Sequence, residues 1–282
     1  MTKEVLVIIG AGGMGVAIGR RLGVGKSVVV ADFSDQVLAA AEEALKGDGF
    51  DVHALKVDVS ARDSVAALAA AVAELGPVTK VAHTAGLSPV QASVEAILKV
   101  DLYGVGVSLD EFGKVVAPGG AGVVIASMAG HMAPPPTAEQ VGAVIASTPE
   151  QLVAQPFLQP DAIPDPGAAY SIAKQLNRFQ VAAAAHAWGQ RGARINSISP
   201  GVISTPMGQA ELSGPSGAGM RYMIQNSGTA RIGTPEDIAN AVAFLCSPEG
   251  SFLTGTDLLV DGGVVAALRT GRIDFSQLRP QG

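Results

Sequence analysis

Residues 5–19 read Val5-Leu6-Val7-Ile8-Ile9-Gly10-Ala11-Gly12-Gly13-Met14-Gly15-Val16-Ala17-Ile18-Gly19, and Asp32 closes the next apolar run. A short, continuous β-branched run is the pattern of a strand covered on both faces. The glycines after it allow a tight turn and let backbone N–H groups approach a pyrophosphate at the positive end of a helix. An acid about twenty residues beyond Gly12 can accept hydrogen bonds from both hydroxyls of an adenosine ribose and repels a 2′-phosphate. The pattern favours NAD over NADP, and no Arg or Lys stands between the glycines to change that. Its plainer alternative is a Gly-rich turn followed by a surface Asp capping the next helix.

Working outward, further apolar runs suited to strands occupy residues 27–31, 51–57, 80–83, 122–126, 194–197 and 257–260. Ala-rich stretches of helical period lie between them. Ser60-Ala61-Arg62-Asp63 offers an N-cap for a helix over residues 65–75. Thr234-Pro235-Glu236-Asp237 offers a cap, a proline at the first helical position and acids in the first turn. Strands alternating with helices imply right-handed crossovers, a parallel sheet and one doubly wound α/β domain.

Two segments break this rhythm. Residues 131–167 hold Pro134, Pro135, Pro136, Pro149, Pro156, Pro160, Pro164 and Pro166. Within them Thr137-x-x-Gln140 and Thr148-Pro149-Glu150-Gln151 have the form of two capping boxes, so a small helical insertion is expected. Residues 204–228 are rich in Gly and Ser but include Met207, Met220, Tyr222 and Met223. They read either as a surface loop or as a mobile lid whose apolar side chains cover a substrate. The division expected is a domain over 1–263 with these two segments inside it, then a tail over 264–282.

Composition narrows the function. The 282 residues carry a net charge of −6, are 48% hydrophobic and only 16% charged, and include 35 Gly but just 4% aromatic residues. Such a chain is globular rather than disordered, and it has no basic footprint for nucleic acid or an anionic membrane. A lone cysteine, Cys246, excludes a disulfide framework or cysteine cluster, and four scattered histidines argue against a metal site. Residues 5–19 carry too many glycines and no convincing cleavage site for a signal sequence. Residues 115–138 are too broken by proline and glycine to span a membrane. A cytoplasmic protein is expected.

A second constellation is Tyr170-Ser171-Ile172-Ala173-Lys174. On a helix, side chains four apart share a face, so phenol and ammonium can meet over one site. The ammonium favours phenolate and is expected to lower the Tyr170 pKa from about 10. Such a phenol can give or take the proton of an alcohol. Leu87, Met128, Met207, Met220 and Met223 could line an apolar pocket for a hydrophobic or cyclic substrate.

With these motifs in hand, the chain resembles the short-chain dehydrogenase/reductase family over nearly its whole length. The resemblance runs through the glycine turn, Asp58-Val59, Thr84-Ala85-Gly86, Ile125-Ala126-Ser127 and Tyr170-x-x-x-Lys174. It continues through the run from Asn196 to Thr205 and through Asp261-Gly262-Gly263. It implies a seven-stranded, mostly parallel Rossmann sheet and nicotinamide-dependent interconversion of alcohols and carbonyls. By position, it makes Ser127 the hydroxyl bonded to the substrate oxygen and Tyr170 the acid/base. Lys174 would hold the ribose and tune Tyr170. It places Gly10, Gly12, Gly13, Met14, Gly15, Asp32, Phe33, Thr84, Ala85, Gly86, Pro200 and Gly201 along the cofactor. Asp58 and Val59 would meet adenine, and Ile203 and Thr205 the carboxamide. A homodimer or homotetramer acting on a small alcohol or ketone is implied.

Three departures stand out. The glycine turn is one residue shorter than the family's usual form. Asp101 stands where the family carries an Asn that holds a water of the proton relay; an ionised Asp101 accepts but cannot donate, and adds a charge near Lys174. The interval from Ser127 to Tyr170 is long, and the insertion fills it. A similar insertion and C-terminal half occur in the bacterial 3α-hydroxysteroid dehydrogenase/carbonyl reductase branch, where the insertion lies beside the active site and near the helices used for assembly. That likeness suggests a steroid- or terpenoid-like alcohol.

Other residues read more plainly. Cys246 is expected as a buried small hydrophobe, and Trp188 against the sheet or a neighbouring subunit. His83 and His131 flank the expected cleft and suit hydrogen bonding to backbone. Arg269, Arg272 and Arg279 suit a solvated tail or a subunit contact. The alternative function is a non-catalytic NAD(H)-binding sensor or assembly protein on the same fold. Nucleotide-sugar epimerases and dehydratases share the Tyr/Lys pair but carry a larger C-terminal substrate domain than this length allows.

Overall fold

The computed structural model describes residues 2–90 and 92–275. Its first half alternates β1 (Val5–Ile9), α1 (Gly13–Leu22), β2 (Ser27–Asp32), α2 (Asp35–Gly47), β3 (Asp51–Lys56), α3 (Arg62–Leu75) and β4 (Val78–His83). Then come α4 (Val94–Ile97), a π-helical turn (Leu98–Tyr103), α5 (Gly104–Val115), β5 (Val116–Ile125) and the short α6 (Ala129–Met132). Two insertion helices, α7 (Ala138–Ala146) and α8 (Pro149–Val153), precede the long α9 (Pro166–Gln190) and β6 (Arg194–Pro200). The chain continues through α10 (Pro206–Ser213), α11 (Gly217–Asn226), α12 (Pro235–Cys246), β7 (Asp257–Val260) and α13 (Val264–Arg269).

The strands form one sheet in the order β3-β2-β1-β4-β5-β6-β7, and every neighbouring pair is parallel. All five residues of β1 are buried because helices cover both faces. Leu68, Val105, Phe112 and Val181 of α3, α5 and α9 pack on one face; Ile18, Leu45 and Val242 of α1, α2 and α12 pack on the other. Each such side chain contributes roughly 1.5–3 kcal/mol relative to exposure. The chain winds outward from β1 to β3 and then crosses back to β4, so the strand order reverses between β1 and β4. Ligands of open α/β sheets bind at this switch point, outside the carboxyl ends of the strands.

Trp188 packs on the sheet. It is buried, its Nε1 donates to the Leu109 carbonyl at 3.1 Å, and its ring fills the space beside Gly122. A Cβ at Gly122 would lie 2.7 Å from that ring, which accounts for glycine inside a strand. Cys246 is buried, and burial pushes its thiol up to about 11, keeping it protonated.

Several local expectations change. β5 starts at Val116 rather than 122, carrying Pro118-Gly119-Gly120 through a register shift opposite β4. β4 and β6 are likewise longer than their apolar runs, starting at Val78 and ending at Pro200. Ser60 does not cap α3. Ala61 holds the N-cap position without a side-chain bond, while the Ser60 hydroxyl donates to Asp58 Oδ1 at 2.6 Å. A carboxylate two residues away outcompetes the helix end for that hydroxyl. Residues 204–228 are not a loop but contain α10 and α11. Thr205 Oγ1 caps α10 by accepting from Gly208 N, with Pro206 at the first helical position. Residues beyond 263 open with α13, whose Val264, Val265 and Ala267 are buried with Met223 and Ile273. Arg269 and Arg272 are exposed, and Arg279 lies outside the described residues.

Both capping boxes of the insertion form, on Thr137/Gln140 and Thr148/Gln151. Val144, Leu152, Leu158 and Ile163 bury themselves against α9 and the π-turn through Ala169, Leu176 and Leu102. Glu150 of α8 is tied to Arg62 of α3 at 2.8 Å and accepts from the Tyr103 hydroxyl at 3.0 Å. Among the described residues no helix is long and apolar enough to cross a membrane.

Candidate active site

The glycine turn divides into two kinds of glycine. Gly10 has φ +100°, and a Cβ there would lie 2.3 Å from the Ala85 nitrogen; one at Gly15 would lie 2.2 Å from the Gly10 carbonyl oxygen. These two are demanded by the fold itself. A Cβ at Gly12, in contrast, would meet nothing within 4 Å, and at Gly13 only the side chains of Thr205 and Pro206, the nearest atom 3.5 Å away. Their bareness leaves a cradle at the N-terminus of α1, whose first N–H groups have no side-chain cap. That is the space and the donor set a pyrophosphate requires.

Around this cradle runs a cavity of about 550 Å³ lined by Gly10, Gly12, Gly13, Met14, Gly15, Asp32, Phe33, Asp58, Val59, Thr84, Ala85, Gly86 and Thr205. Val37, Val57 and Val100 add apolar wall that the motifs did not indicate. The Asp32 carboxylate is held by two backbone donors, Ala11 N to Oδ2 and Ser34 N to Oδ1, each at 2.9 Å. The helix cap is Ser34, so the plainer reading of Asp32 as a capping residue does not apply. Asp58 Oδ1 accepts from Ser60 N at 2.9 Å. The Thr84 hydroxyl donates to the Gly10 carbonyl at 2.5 Å, tying β4 to the turn. The group of residues fits a dinucleotide: bare backbone for phosphates, a fixed acid for the ribose, and apolar side chains for a base.

A second cavity of about 300 Å³ adjoins the first through Met14, Thr84, Gly86, Leu87, Thr205 and Met207. Ser127, Tyr170, Lys174, Pro200, Gly201 and Ile203 all line it. Ser127 follows the end of β5, and Tyr170 and Lys174 lie one turn apart on α9. The Lys174 side chain is buried; its Nζ donates to the Ile125 carbonyl at 3.3 Å and stands 5.5 Å from the Tyr170 ring centroid. Burial raises the Tyr170 phenol above its ordinary value, and the Asp101 and Glu211 carboxylates add to this, while the Ser127 hydroxyl opposes it. The direction is opposite to the expected lowering, because desolvation of the phenolate outweighs the stabilisation that nearby donors supply.

Asp101 lies in the π-helical turn, fully buried behind the cavity rather than on its wall. Its Oδ1 accepts from Leu87 N at 2.7 Å, and its Oδ2 is 4.0 Å from Lys174 Nζ with no hydrogen bond. Gly86 keeps the gap open: a Cβ there would lie 3.2 Å from Lys174 Nζ and 3.3 Å from Asp101 Oδ1. Burial pushes the carboxyl up to about 6, against the pull of Lys174 and the Leu87 N–H. The Asn177 amide donates to the Asp101 backbone carbonyl at 2.8 Å and pins α9 to the turn.

Other assignments shift. His83 is buried, but neither ring nitrogen has a hydrogen-bond partner, so it does not satisfy backbone groups; burial and then the Lys174 charge push its imidazole down to about 3. His131 bonds a carboxylate instead of backbone, with Nε2 2.7 Å from Asp257 Oδ2. Leu87, Met128, Met207 and Met220 line the second cavity, but Met223 does not. It is buried behind, with Met128 and Val202. Glu211 of α10 does line the cavity, and no motif had marked it.

Comparison with known proteins agrees with this geometry. A family model described as short chain dehydrogenase matches residues 3–139, and one described as enoyl-(acyl carrier protein) reductase matches residues 152–265. The short-chain dehydrogenase/reductase bsc3 of Alternaria brassicicola is 43% identical over 269 residues, covering 95% of this chain and 98% of its own. The 3-alpha-hydroxysteroid dehydrogenase/carbonyl reductase of Comamonas testosteroni is 31% identical over 193 residues, 66% of this chain and 72% of its own. Among solved structures, the 3-alpha-hydroxysteroid dehydrogenase of Pseudomonas sp. B-0831 complexed with NADH superposes with a TM-score of 0.76 at 26% identity, covering 94% of this chain and 98% of that one. Sheet order, glycine turn and the near-complete match to a short-chain relative lead to one assignment: the chain belongs to the short-chain dehydrogenase/reductase family of oxidoreductases, which use a nicotinamide cofactor.

Proposed function

We propose that this chain is an NAD-dependent oxidoreductase that interconverts a secondary alcohol and a ketone on a hydrophobic or cyclic, steroid- or terpenoid-like skeleton. The observation that carries the reading is the meeting of Ser127, Tyr170 and Lys174 on one small, largely apolar cavity that opens into the glycine-turn cleft. A nicotinamide held in the glycine-turn cleft would supply or accept the hydride. Ser127 donates a hydrogen bond to the reacting oxygen. Tyr170 gives its proton to that oxygen in reduction and takes it back in oxidation. The raised phenol suits proton donation, and Lys174, fixed by the Ile125 carbonyl, adds the positive charge that eases the return.

NAD is favoured because Asp32 is fixed at the edge of the cleft and the nearby cation is occupied. Lys56 Nζ is 2.9 Å from both oxygens of Asp35, leaving an acid rather than a base to meet a 2′-substituent. The reading includes a cytoplasmic homodimer or homotetramer, in keeping with an acidic chain whose single cysteine is buried.

The test is NADH formation or consumption with a panel of hydrophobic alcohols and ketones. Turnover is expected with NAD(H), and Tyr170→Phe is expected to lower kcat by about 10²-fold or more with NADH binding retained. Comparable rates in wild type and Tyr170→Phe would overturn the mechanism. Tight NADH binding without turnover across the panel would favour the sensor alternative.

A further inference from the structure

Glu211 is held in place by its own helix. Gly208, one turn earlier, is wedged so closely that a Cβ there would lie 2.1 Å from the Ile203 carbonyl oxygen, and its N–H is bonded to Thr205 Oγ1 at 3.1 Å. Met207, Gly208 and Glu211, at helical spacing, form the face that α10 turns to the cavity of Tyr170. The wholly buried Ser88 then donates to Glu211 Oε1 at 2.5 Å, joining α10 to the segment that follows β4. The Glu211 side chain makes no other hydrogen bond among the described residues, so Oε2 remains available. Lys174 is the only other charged side chain among the described residues lining this cavity, and its ammonium is bonded to the Ile125 carbonyl. The carboxylate acts across the cavity, since its charge helps hold the Tyr170 phenol up.

A carboxylate among apolar walls loses hydration when a substrate fills the site, and an oxygen left without a donor is costly. Ser88 satisfies one oxygen only. We infer that Glu211 is a specificity-determining residue that accepts a hydrogen bond from a second donor group on the substrate, remote from the reacting carbon. The donor is a hydroxyl or a protonated amine. A substrate presenting a carboxylate or phosphate there is rejected by charge. The inference rests on the alcohol–ketone reading above and deepens it from a hydrophobic skeleton to a hydrophobic skeleton with a polar far end.

The experiment compares pairs of ketones in the full-length chain with NADH. Cyclohexanone is set against its 4-hydroxy and 4-amino derivatives, and a decalin ketone against its hydroxy derivatives. The readout is the ratio of kcat/KM within each pair, with ligand affinity by calorimetry beside it. Wild type is expected to prefer the best donor-bearing member by about tenfold or more. Glu211→Ala should bring that ratio toward one. Glu211→Gln, which keeps an acceptor oxygen but loses charge, should preserve much of a hydroxyl preference and abolish an ammonium preference. Ser88→Ala should weaken the preference through KM. A role in folding alone would lower both members together and leave the ratio unchanged, which would overturn the inference; so would equal affinity for both members in wild type. Wild-type turnover of the parent ketones reports separately on the underlying reading, because those compounds do not engage Glu211.

Discussion

The two cavities that meet at Gly86 and Thr205 are made of different material. The glycine-turn cavity is floored by backbone at strand ends, fixed by the sheet: Gly10 N donates to the Ala31 carbonyl, and Thr84 N and Ala85 N both donate to the Ile9 carbonyl. The Tyr170 cavity adds to strand-end residues such as Ser127 and Pro200 a wall of side chains on helices outside the sheet, such as Met207 and Glu211 on α10 and Met220 on α11. A wall of backbone has a shape set by a few glycines and the strand order. A wall of helical side chains has a shape set by tertiary contacts such as Gly208 against Ile203 and Ser88 against Glu211. On the function proposed above, the first would accept a constant cofactor, and the second could be rebuilt for a new substrate without disturbing the sheet.

The glycine turn offers the strongest way to break this contrast. Gly10→Ala forces a side chain into a left-handed residue and against Ala85, and is expected to cost roughly 2–5 kcal/mol of stability. Gly12→Ala adds a methyl where the chain has nothing within 4 Å, so stability should change by less than about 1 kcal/mol. NADH affinity should nevertheless fall at least about tenfold, the equivalent of about 1.4 kcal/mol. Urea unfolding and NADH fluorescence titration on the same two variants separate these outcomes. Equal loss of stability in both would show that the whole turn, not only Gly10 and Gly15, serves folding.

Asp32 tests the cofactor wall more gently. Asp32→Ser removes the charge and the acceptor pair fixed by Ala11 N and Ser34 N. The preference for NAD over NADP in kcat/KM is expected to drop by about ten- to a hundredfold, or about 1.4–2.8 kcal/mol. An unchanged preference would move discrimination to another group, with Lys56 and Asp35 the first to examine.

The same contrast explains what could be read from residue order. β1, the glycine turn and Asp32 are consecutive or nearly so, and their physics is local. Tyr170 and Lys174 are one helical turn apart, so their pairing is also local; Ser127 is far from them in the chain, the resemblance supplied its grouping with the pair, and the fold brings all three to one cavity. Glu211 escapes such a reading because residues 204–228, seen as Gly/Ser-rich, give no period until Thr205 and Pro206 are recognised as a helix start. Once α10 exists, the four-residue step from Met207 to Glu211 is plain. Met223 departs from its expected place for the same reason: it lies on α11, with its side chain packed beneath the wall. The raised Tyr170 phenol is illegible in residue order because desolvation depends on everything around the ring, whereas the Tyr/Lys spacing names only one neighbour. Ser60 shows the same limit in miniature, a good cap by type that is drawn away by Asp58.

Asp101 is buried behind Gly86, where the two cavities meet, and its titration gives the subtlest test. Its buried carboxyl is raised from 3.8 to about 6, so the folded chain binds this proton more tightly than the unfolded chain does. Stability drawn from this group is therefore present in full below 3.8 and declines as pH rises, until it is lost above about 6. Asp101→Asn removes the titration while keeping an oxygen for the Leu87 N–H, so it should gain stability relative to wild type as pH is raised from about 4 to about 8. The gain is bounded by on the order of 2–3 kcal/mol, since a tenfold difference in proton affinity between folded and unfolded chain is worth about 1.4 kcal/mol. In catalysis the carboxylate that forms on deprotonation lies 4.0 Å from Lys174, which shares the cavity with Tyr170, so a limb of kcat/KM near pH 6 is expected in wild type and absent in Asp101→Asn. Urea unfolding at the two pH values reads the first effect and a pH–rate profile the second. A profile unchanged in shape would remove Asp101 from the proton path while leaving its stability signature intact. The carboxylate would then be a buried structural partner of Lys174, and proton exchange at Tyr170 would be set by the cavity alone.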